Sequence, residues 1–171
     1  EDHATGAVPW DELRWAADDK LHLRGILRRE LTRTGAGRLV VIEGPPGSGR
    51  LASALAAGLE DGREVEVCDL AKRSKQDAAQ IEHAVSRSVY RAHARHGILV
   101  VRSDGVLRAH ARVWDHLWSL VSRFGIRCLV LVRSGELESI PTAVRFVRHG
   151  TPHLRPEDRR ELWELALADR G

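Results

Sequence analysis

The sequence contains the stretch Leu39-Val40-Val41-Ile42-Glu43-Gly44-Pro45-Pro46-Gly47-Ser48-Gly49-Arg50-Leu51, which decides the fold. Residues 39–43 form a nearly continuous apolar run, typical of a strand that is buried on both faces of a sheet. Gly44 and Gly49 follow at the spacing of the pattern G-x-x-x-x-G-K-[ST], in which a glycine-rich loop holds phosphate groups at the start of a helix. An alanine-rich segment begins directly behind the loop, and we predict this helix from Arg50 to about Leu59.

The two residues that carry the chemistry of such a loop are replaced. Arg50 stands where the pattern has Lys, and Leu51 stands where it has Ser or Thr. Arg50 keeps the positive charge on a planar fork instead of a compact ammonium, whereas Leu51 has no atom that can bind Mg²⁺. We therefore predict a site for ATP or ADP without a metal ion, and the alternative is a tight turn that binds nothing. The candidate nucleotide-binding residues are Gly44, Pro45, Pro46, Gly47, Ser48, Gly49, Arg50 and Leu51.

The rest of the chain alternates strands with helices. Further strands are predicted at residues 64–70, 98–101 and 126–132, with a short fifth strand at Val144–Val147. Helices are predicted within residues 10–32, at 76–96, over Val106–Phe124, and at 157–168. Apolar strands that alternate with helices indicate a parallel sheet covered on both faces. The predicted fold class is α/β, a P-loop NTPase-like three-layer sandwich with a five-stranded, mainly parallel sheet flanked by helices.

The end of the third strand carries a second alteration. In phosphate-loop enzymes that hydrolyse nucleotides, acids at such positions hold Mg²⁺ and orient the attacking water. Here Arg102 and Ser103 take the two positions, and a cation at this point repels the metal. Asp104 lies two residues further on and is a candidate catalytic residue, with a loop-capping role as the alternative. At the end of the fourth strand, Arg133 or Ser134 is a candidate sensor of the terminal phosphate, with a plain polar strand exit as the alternative.

The composition suits one globular domain, since 43% of the 171 residues are hydrophobic and 30% are charged. No apolar run approaches the roughly 18 residues that a membrane helix needs, and we expect no membrane association. The two cysteines, Cys68 and Cys128, fall in predicted buried strands without a metal-like spacing, which favours a reducing, cytoplasmic location. A formal net charge of +3 does not favour nucleic acid as a partner. The chain begins with Glu1, so we expect a piece of a longer protein.

The chain resembles the AAA+ ATPases in their large αβ subdomain. The resemblance rests on Gly44–Arg50, on the strand within Gly97–Val101, on Val144–Arg148, which is similar to the R-F-D-R stretch of that family, and on Leu154–Trp163, which is similar to the opening of its helical lid. It implies a single AAA+-like domain over residues 1–171, with a helical lead-in over 1–34, a P-loop core over 38–150 and the start of a truncated lid over 151–171. More narrowly, the chain looks like the degenerate first AAA domain of ATPases encoded with contractile injection systems.

The resemblance also implies a mode of assembly. Domains of this family form hexamer-like assemblies, with nucleotide at the subunit border and an arginine finger supplied by the neighbour. Arg145 occupies the position of such a finger, and Arg148 is a second candidate; exposed strand residues are the alternative. The partners we expect are therefore further copies of the chain or a tandem ATPase domain of the same protein.

Three functional hypotheses follow. The first is a hydrolysis-deficient nucleotide-binding module, a pseudo-ATPase that serves assembly or regulation within a larger ATPase. The second is a slow but active ATPase that uses Arg50, Asp104 and a neighbour's arginine finger. The third is a nucleic-acid-handling P-loop protein, for which Arg87, Arg91 and Arg95 offer a basic helix face; a solvated face is the alternative reading of these arginines.

Overall fold

The computed structural model describes residues 8–13, 15–33, 37–136, 146–151 and 160. Its helices are α1 (Ala17–Thr32), α2 (Arg50–Glu60), α3 (Ala78–Ala94), α4 (Val106–Ala109) and α5 (Ala111–Phe124). Its strands are β1 (Arg38–Glu43), β2 (Val65–Asp69), β3 (Ile98–Arg102), β4 (Arg127–Val132) and β5 (Val147–Gly150). Short 3₁₀ turns occur at Trp10–Glu12 and Ala71–Arg73.

The five strands form one sheet in the order β2-β3-β4-β1-β5, and every pairing is parallel. The sheet is parallel because a helix follows each of the first three strands in the chain and returns it to the same end of the sheet. The strands with neighbours on both sides, β1, β3 and β4, are buried along almost their whole length. The predicted α/β class with a five-stranded parallel sheet between helical layers is confirmed.

Two apolar clusters cover the two faces of the sheet. On one face, α3 and α5 pack against alternate strand residues, with Trp114 fully buried at the centre. On the other face, α1, α2 and the N-terminal residues Trp10, Leu13 and Trp15 cover the remaining set. Cys68 and Cys128 are free and buried within the strands, as predicted. Within the described residues, no helix has both the length and the apolar composition that a membrane span requires.

The helical segment predicted over Val106–Phe124 is interrupted at one residue. The structure divides it into α4 and α5 at His110, whose backbone leaves the helical region at φ −129° and ψ 71°. The apolar pattern does not reveal this break, because Val106 and Val113 are seven residues apart and continue one helical face across it. Both side chains are buried against the same cluster.

The fifth strand begins three residues later than predicted, at Val147 rather than Val144. It pairs with residues 40–43 of β1, and beyond its end the Thr151 N–H donates to the Glu43 carbonyl at 2.7 Å. The apolar run at 144–147 does not mark the strand correctly, because β5 lies at the edge of the sheet and its side chains are mostly exposed. The predicted helix over 157–168 and the lid opening lie outside the described residues, apart from residue 160.

Candidate nucleotide-binding site

The carboxyl ends of β1, β3 and β4 meet at one edge of the sheet, where ligands of open parallel sheets bind. The loop after β1 keeps the backbone shape that its glycines predict. Gly44 N–H donates to the Val132 carbonyl at 3.2 Å, and Ser48 N–H donates to the Pro45 carbonyl at 3.2 Å. Gly47 and Gly49 both have φ of +77°, a conformation that favours glycine. Gly49 then forms the N-cap of α2, whose first N–H groups have no acceptor within the helix.

Close packing on both sides fixes this loop in place. A Cβ added at Gly44 would lie 1.9 Å from Thr151 Oγ1, and one at Gly49 would lie 2.7 Å from the indole of Trp15. Thr151 Oγ1 also donates to Ser48 Oγ at 2.9 Å, which ties the end of β5 to the loop. The loop is therefore held between the N-terminal aromatic residues and the last strand.

Arg50 points into the molecule and not away from it. Only 8% of the residue is exposed, and its Nη2 donates to Asp104 Oδ1 at 3.0 Å. Its other terminal nitrogen, Nη1, is buried and has no hydrogen-bond partner among the described residues. A buried guanidinium nitrogen without an acceptor is costly, so Arg50 has one donor group that the described residues leave unused.

Three guanidinium groups contact the Asp104 carboxylate. Besides Arg50, Arg102 Nε lies 2.6 Å from Oδ2 and Arg133 Nε lies 3.6 Å from Oδ1, while the carboxylate side chain is only 5% exposed. Burial raises the pKa of Asp104, but the hydrogen bonds and positive charges of Arg102 and Arg50 outweigh it, so the pKa lies below the ordinary value. Asp104 is therefore an ionised carboxylate whose oxygens are already engaged by cations.

A second buried acid braces the turn after β3. Ser103 Oγ donates to Glu136 Oε1, and the N–H groups of Gly105 and Arg133 donate to Glu136 Oε2 at 3.0 and 2.9 Å. Ser103 Oγ in turn accepts from Leu107 N–H at 3.0 Å. Glu136 thus links the ends of β3 and β4 and holds Asp104, with its unusual φ of +47°, in position.

Glu43, the last residue of β1, anchors the opposite side of the loop. Its Oε1 accepts from Gly135 N–H at 2.7 Å, and its Oε2 accepts from Arg148 Nε at 2.6 Å. Arg148, a candidate finger, is thus paired within its own chain, although 58% of its side chain is exposed. Arg145, the first candidate finger, lies outside the described residues.

Leu51 is directed toward apolar residues. It is half-buried and packs against the cluster that contains Trp10, Leu13 and Trp15. Beside it, an open cavity of about 330 Å³ is lined by residues 47–52 together with Arg102 and Leu131. The cavity has the size of a small ligand site. Near the position that would need metal ligands, however, it is lined by Leu51 and Arg102. Within the described ranges, no group of three or more His, Cys, Asp or Glu side chains is placed to hold a metal ion.

The structure brings together most of the residues selected from the sequence. Arg50, Arg102, Asp104 and Arg133 form one cluster behind the loop, whereas Ser134 is exposed and has no role in it. Four contributors were missed by sequence reasoning, namely Glu43, Glu136, Trp15 and Thr151. The acid that ends an otherwise apolar strand was a signal for Glu43, but nothing in the local sequence marks the other three.

Comparison with solved structures identifies the fold. A katanin structure that addresses katanin self-assembly has a TM-score of 0.68 and 19% sequence identity, and it covers 95% of this chain and 59% of that one. The crystal structure of the FIGL-1 AAA domain in complex with ADP has a TM-score of 0.68 and 18% identity, covering 95% of this chain and 61% of that one. The chain has the AAA+ ATPase fold.

At 19% and 18% identity, this likeness to the two AAA structures is one of fold. The AAA+-fold chain spans about three fifths of the length of either, at 59% and 61%. No protein-family model and no curated protein sequence matches it.

Proposed function

We propose that this AAA+-fold chain is a hydrolysis-deficient nucleotide-binding module that holds the phosphates of ATP or ADP without Mg²⁺. The observation that carries the proposal is Arg50, which is buried at the end of the phosphate loop with Nη2 on Asp104 and Nη1 without a partner among the described residues. The unused N–H donors of Nη1 and the N–H groups at the start of α2 suit a phosphate oxygen. Residues 44–51 would form the site.

The same cluster argues against a metal-dependent reaction. A Mg²⁺ ion needs several oxygen ligands in a nearly octahedral arrangement, but Leu51 offers none. Asp104, the acid that pairs with Arg50, has Arg50 and Arg102 on its two oxygens at 3.0 and 2.6 Å. A dication brought to this point would meet three guanidinium groups. We infer that fixed arginine charges take the part that Mg²⁺ plays in other sites of this kind.

A static site of this type favours a role in assembly or regulation. The katanin structure concerns self-assembly and the FIGL-1 domain was crystallised with ADP; we extend both properties to this chain as part of the proposal. The partners would be copies of the chain or a tandem ATPase domain of the same protein, with Arg145 as the contributed finger. Membership of the contractile-injection-system ATPases is the narrower form of this proposal, and a cytoplasmic location accompanies it.

Calorimetric titration with ATP and ADP, with Mg²⁺ and with EDTA, tests the proposal. We expect binding of equal affinity in both conditions. Arg50→Ala should weaken binding by about tenfold or more, because it removes a charge-assisted hydrogen bond. Arg112→Ala is the matched control, since Arg112 is exposed on α5, pairs with Glu82 of α3, and lies on the face of the sheet opposite α2. Binding that requires Mg²⁺, or no binding at all, would contradict the proposal.

The competing hypothesis of a slow ATPase gives a different result in the same sample. It predicts Mg²⁺-dependent phosphate release that Asp104→Ala abolishes. The static site predicts no phosphate release from the native chain or from Asp104→Ala. A nucleic-acid-handling protein would instead show salt-sensitive binding of DNA or RNA. Phosphate release above background, or a salt-dependent shift with an oligonucleotide, would each replace the proposed function by the corresponding alternative.

A further inference from the structure

The outer edge of β2 is a second surface with unused binding capacity. Among the residues that the structure describes, β2 ends the sheet and pairs with β3 alone. At the two ends of this pairing, Ile98 N–H donates to the Glu64 carbonyl and Leu70 N–H donates to the Arg102 carbonyl, both at 2.9 Å. The hydrogen bonds between β2 and β3 therefore use the main-chain groups of the even-numbered residues on the β2 side, from 64 to 70.

The remaining main-chain groups of β2 point away from the sheet. A parallel ladder repeats at every second residue, so Val65, Val67 and Asp69 direct their N–H and C=O groups outward. These three residues are only partly buried. Unpaired groups along a strand edge are a template for another strand.

A cleft of about 220 Å³ runs beside this edge and is roofed by α3. One stripe of α3 lines it at helical spacing: Ala84, Arg87, Ser88 and Arg91. The floor is formed by residues 66–69 of β2, and the 3₁₀ turn adds Lys72 and Arg73. The cleft therefore lies between the edge of β2 and a basic face of α3.

Positive charge is in excess in this cleft. Three arginine side chains, Arg73, Arg87 and Arg91, face two carboxylates, Glu66 and Asp69. Asp69 is already engaged, since it lies 3.5 Å from Arg102 and accepts from Ala71 N–H at 3.1 Å. Glu66 lies 3.7 Å from Arg91, whose side chain is 53% exposed. The surplus charge favours an acidic partner.

The spacing of the arginines matches an extended chain. Arg87 and Arg91 are four residues apart on a helix, which places them about 6 Å apart along its axis. Alternate residues of a strand are separated by about 6.8 Å and lie on one face. On the other face of β2, Val65 and Val67 are partly buried apolar side chains. A strand placed here would meet basic groups on one face and apolar groups on the other.

We propose that the β2 edge binds an extended segment of a partner protein whose residues alternate between acidic and apolar. The segment adds as a sixth strand next to β2. Its main chain pairs with Val65, Val67 and Asp69, its acids face Arg87 and Arg91, and its apolar residues extend the cluster beside Val65 and Val67. This site is separate from the phosphate loop, which lies beyond β3 and β4 on β1.

The test is a fluorescence anisotropy titration of the 171-residue chain with a labelled ten-residue peptide of alternating Glu and Val. A control peptide has the same composition with all five Glu residues first. We expect the alternating peptide to bind about tenfold tighter than the block peptide, and Arg87→Glu with Arg91→Glu to remove this difference. Arg95→Glu is the matched control on the same helix, because Arg95 pairs with Glu64 and does not line the cleft.

The strand pairing is tested separately from the charge. Val67→Pro removes one outward N–H without touching the ladder to β3, a position where edge strands tolerate proline, and should weaken binding about tenfold. If circular dichroism shows that this variant unfolds, N-methylation of the peptide main chain, at the valines in one peptide and at the glutamates in another, gives the same test on the native chain. Equal binding of the two peptides, indifference to loss of the N–H groups, or tighter binding of a single-stranded oligonucleotide would overturn the proposal.

Discussion

The loop after β1 and the turn after β3 lie side by side at one edge of the sheet, yet they differ in what they retain. The loop keeps its glycines, its backbone angles and its packing between Trp15 and Thr151. The turn presents Arg102 where a hydrolytic enzyme of this type has an acid, and its one acid, Asp104, is bound by guanidinium groups. The backbone shape of the loop is therefore held by its packing, whichever side chains stand at positions 50 and 51.

The dependence of this arrangement on Asp104 is the sharpest test of that comparison. Asp104→Ala should lower the free energy of unfolding by about 3–5 kcal/mol, because it leaves Arg50 buried without its anion. Urea unfolding followed by circular dichroism measures the change. The double substitution Arg50→Met with Asp104→Leu is the control and should recover most of the stability, since neither charge is then left alone. A single variant within about 0.5 kcal/mol of the native protein would show that the cluster is not structural.

A substitution at Gly44, where the loop makes its closest contact, tests the packing of the loop. Gly44→Ala places a Cβ 1.9 Å from Thr151 Oγ1 and should cost about 1–3 kcal/mol through overpacking. Thermal unfolding reports the loss, and adding Thr151→Ala should restore part of it. Gly47→Ala is the matched control, because its Cβ has no neighbour within 4 Å and only the φ of +77° opposes it, at about 1–2 kcal/mol. No rescue by Thr151→Ala would show that the packing is not the cause.

The charge state of Asp104 makes the comparison dependent on pH. Its pKa in the folded chain is below the ordinary value of 3.8. The stabilisation is therefore complete above that value and is lost as the pH falls through the folded pKa. Between pH 5 and strongly acidic pH, the native chain should lose more stability than Asp104→Asn, which has no proton to gain. Parallel unfolding curves for the two proteins across this range would rule out the ionised pair.

The smallest effect is expected for Arg148, whose pairing with Glu43 lies beside the loop. Arg148→Ala removes the partner of Glu43, but 58% of the arginine side chain is exposed, so the cost should be about 0–1 kcal/mol. Differential scanning calorimetry in low and high salt measures it, and salt should reduce the native stability toward that of the variant. A larger loss would place Arg148 among the supports that fix the loop.

The sequence predicted much of the fold because its signals are local. The apolar runs of β1, β3 and β4, together with the glycine spacing in 44–49, identify a parallel sheet with a phosphate loop. The edge strand β5 was displaced by three residues, since an exposed strand carries no hydrophobic signal. The break at His110 was also missed, because the apolar period continues through it.

The candidate site was only partly predictable. Arg50, Leu51 and Arg102 are substitutions in a recognisable pattern, so the sequence alone indicates that a metal-dependent reaction is disfavoured. The contact between Arg50 and Asp104 joins residues 54 positions apart, and no local pattern encodes it. Glu136 and Trp15 were missed for the same reason.

The sequence by itself thus determined the loop and the strands buried in the sheet, because each depends on neighbouring residues or on a repeating apolar pattern. Only the tertiary structure decided which charged groups surround Arg50. It places Asp104 against Arg50, leaves one nitrogen of that arginine without a partner among the described residues, and aligns the arginines of α3 with the open edge of β2. These arrangements depend on which strands lie side by side, and long-range packing, not local sequence, sets that order.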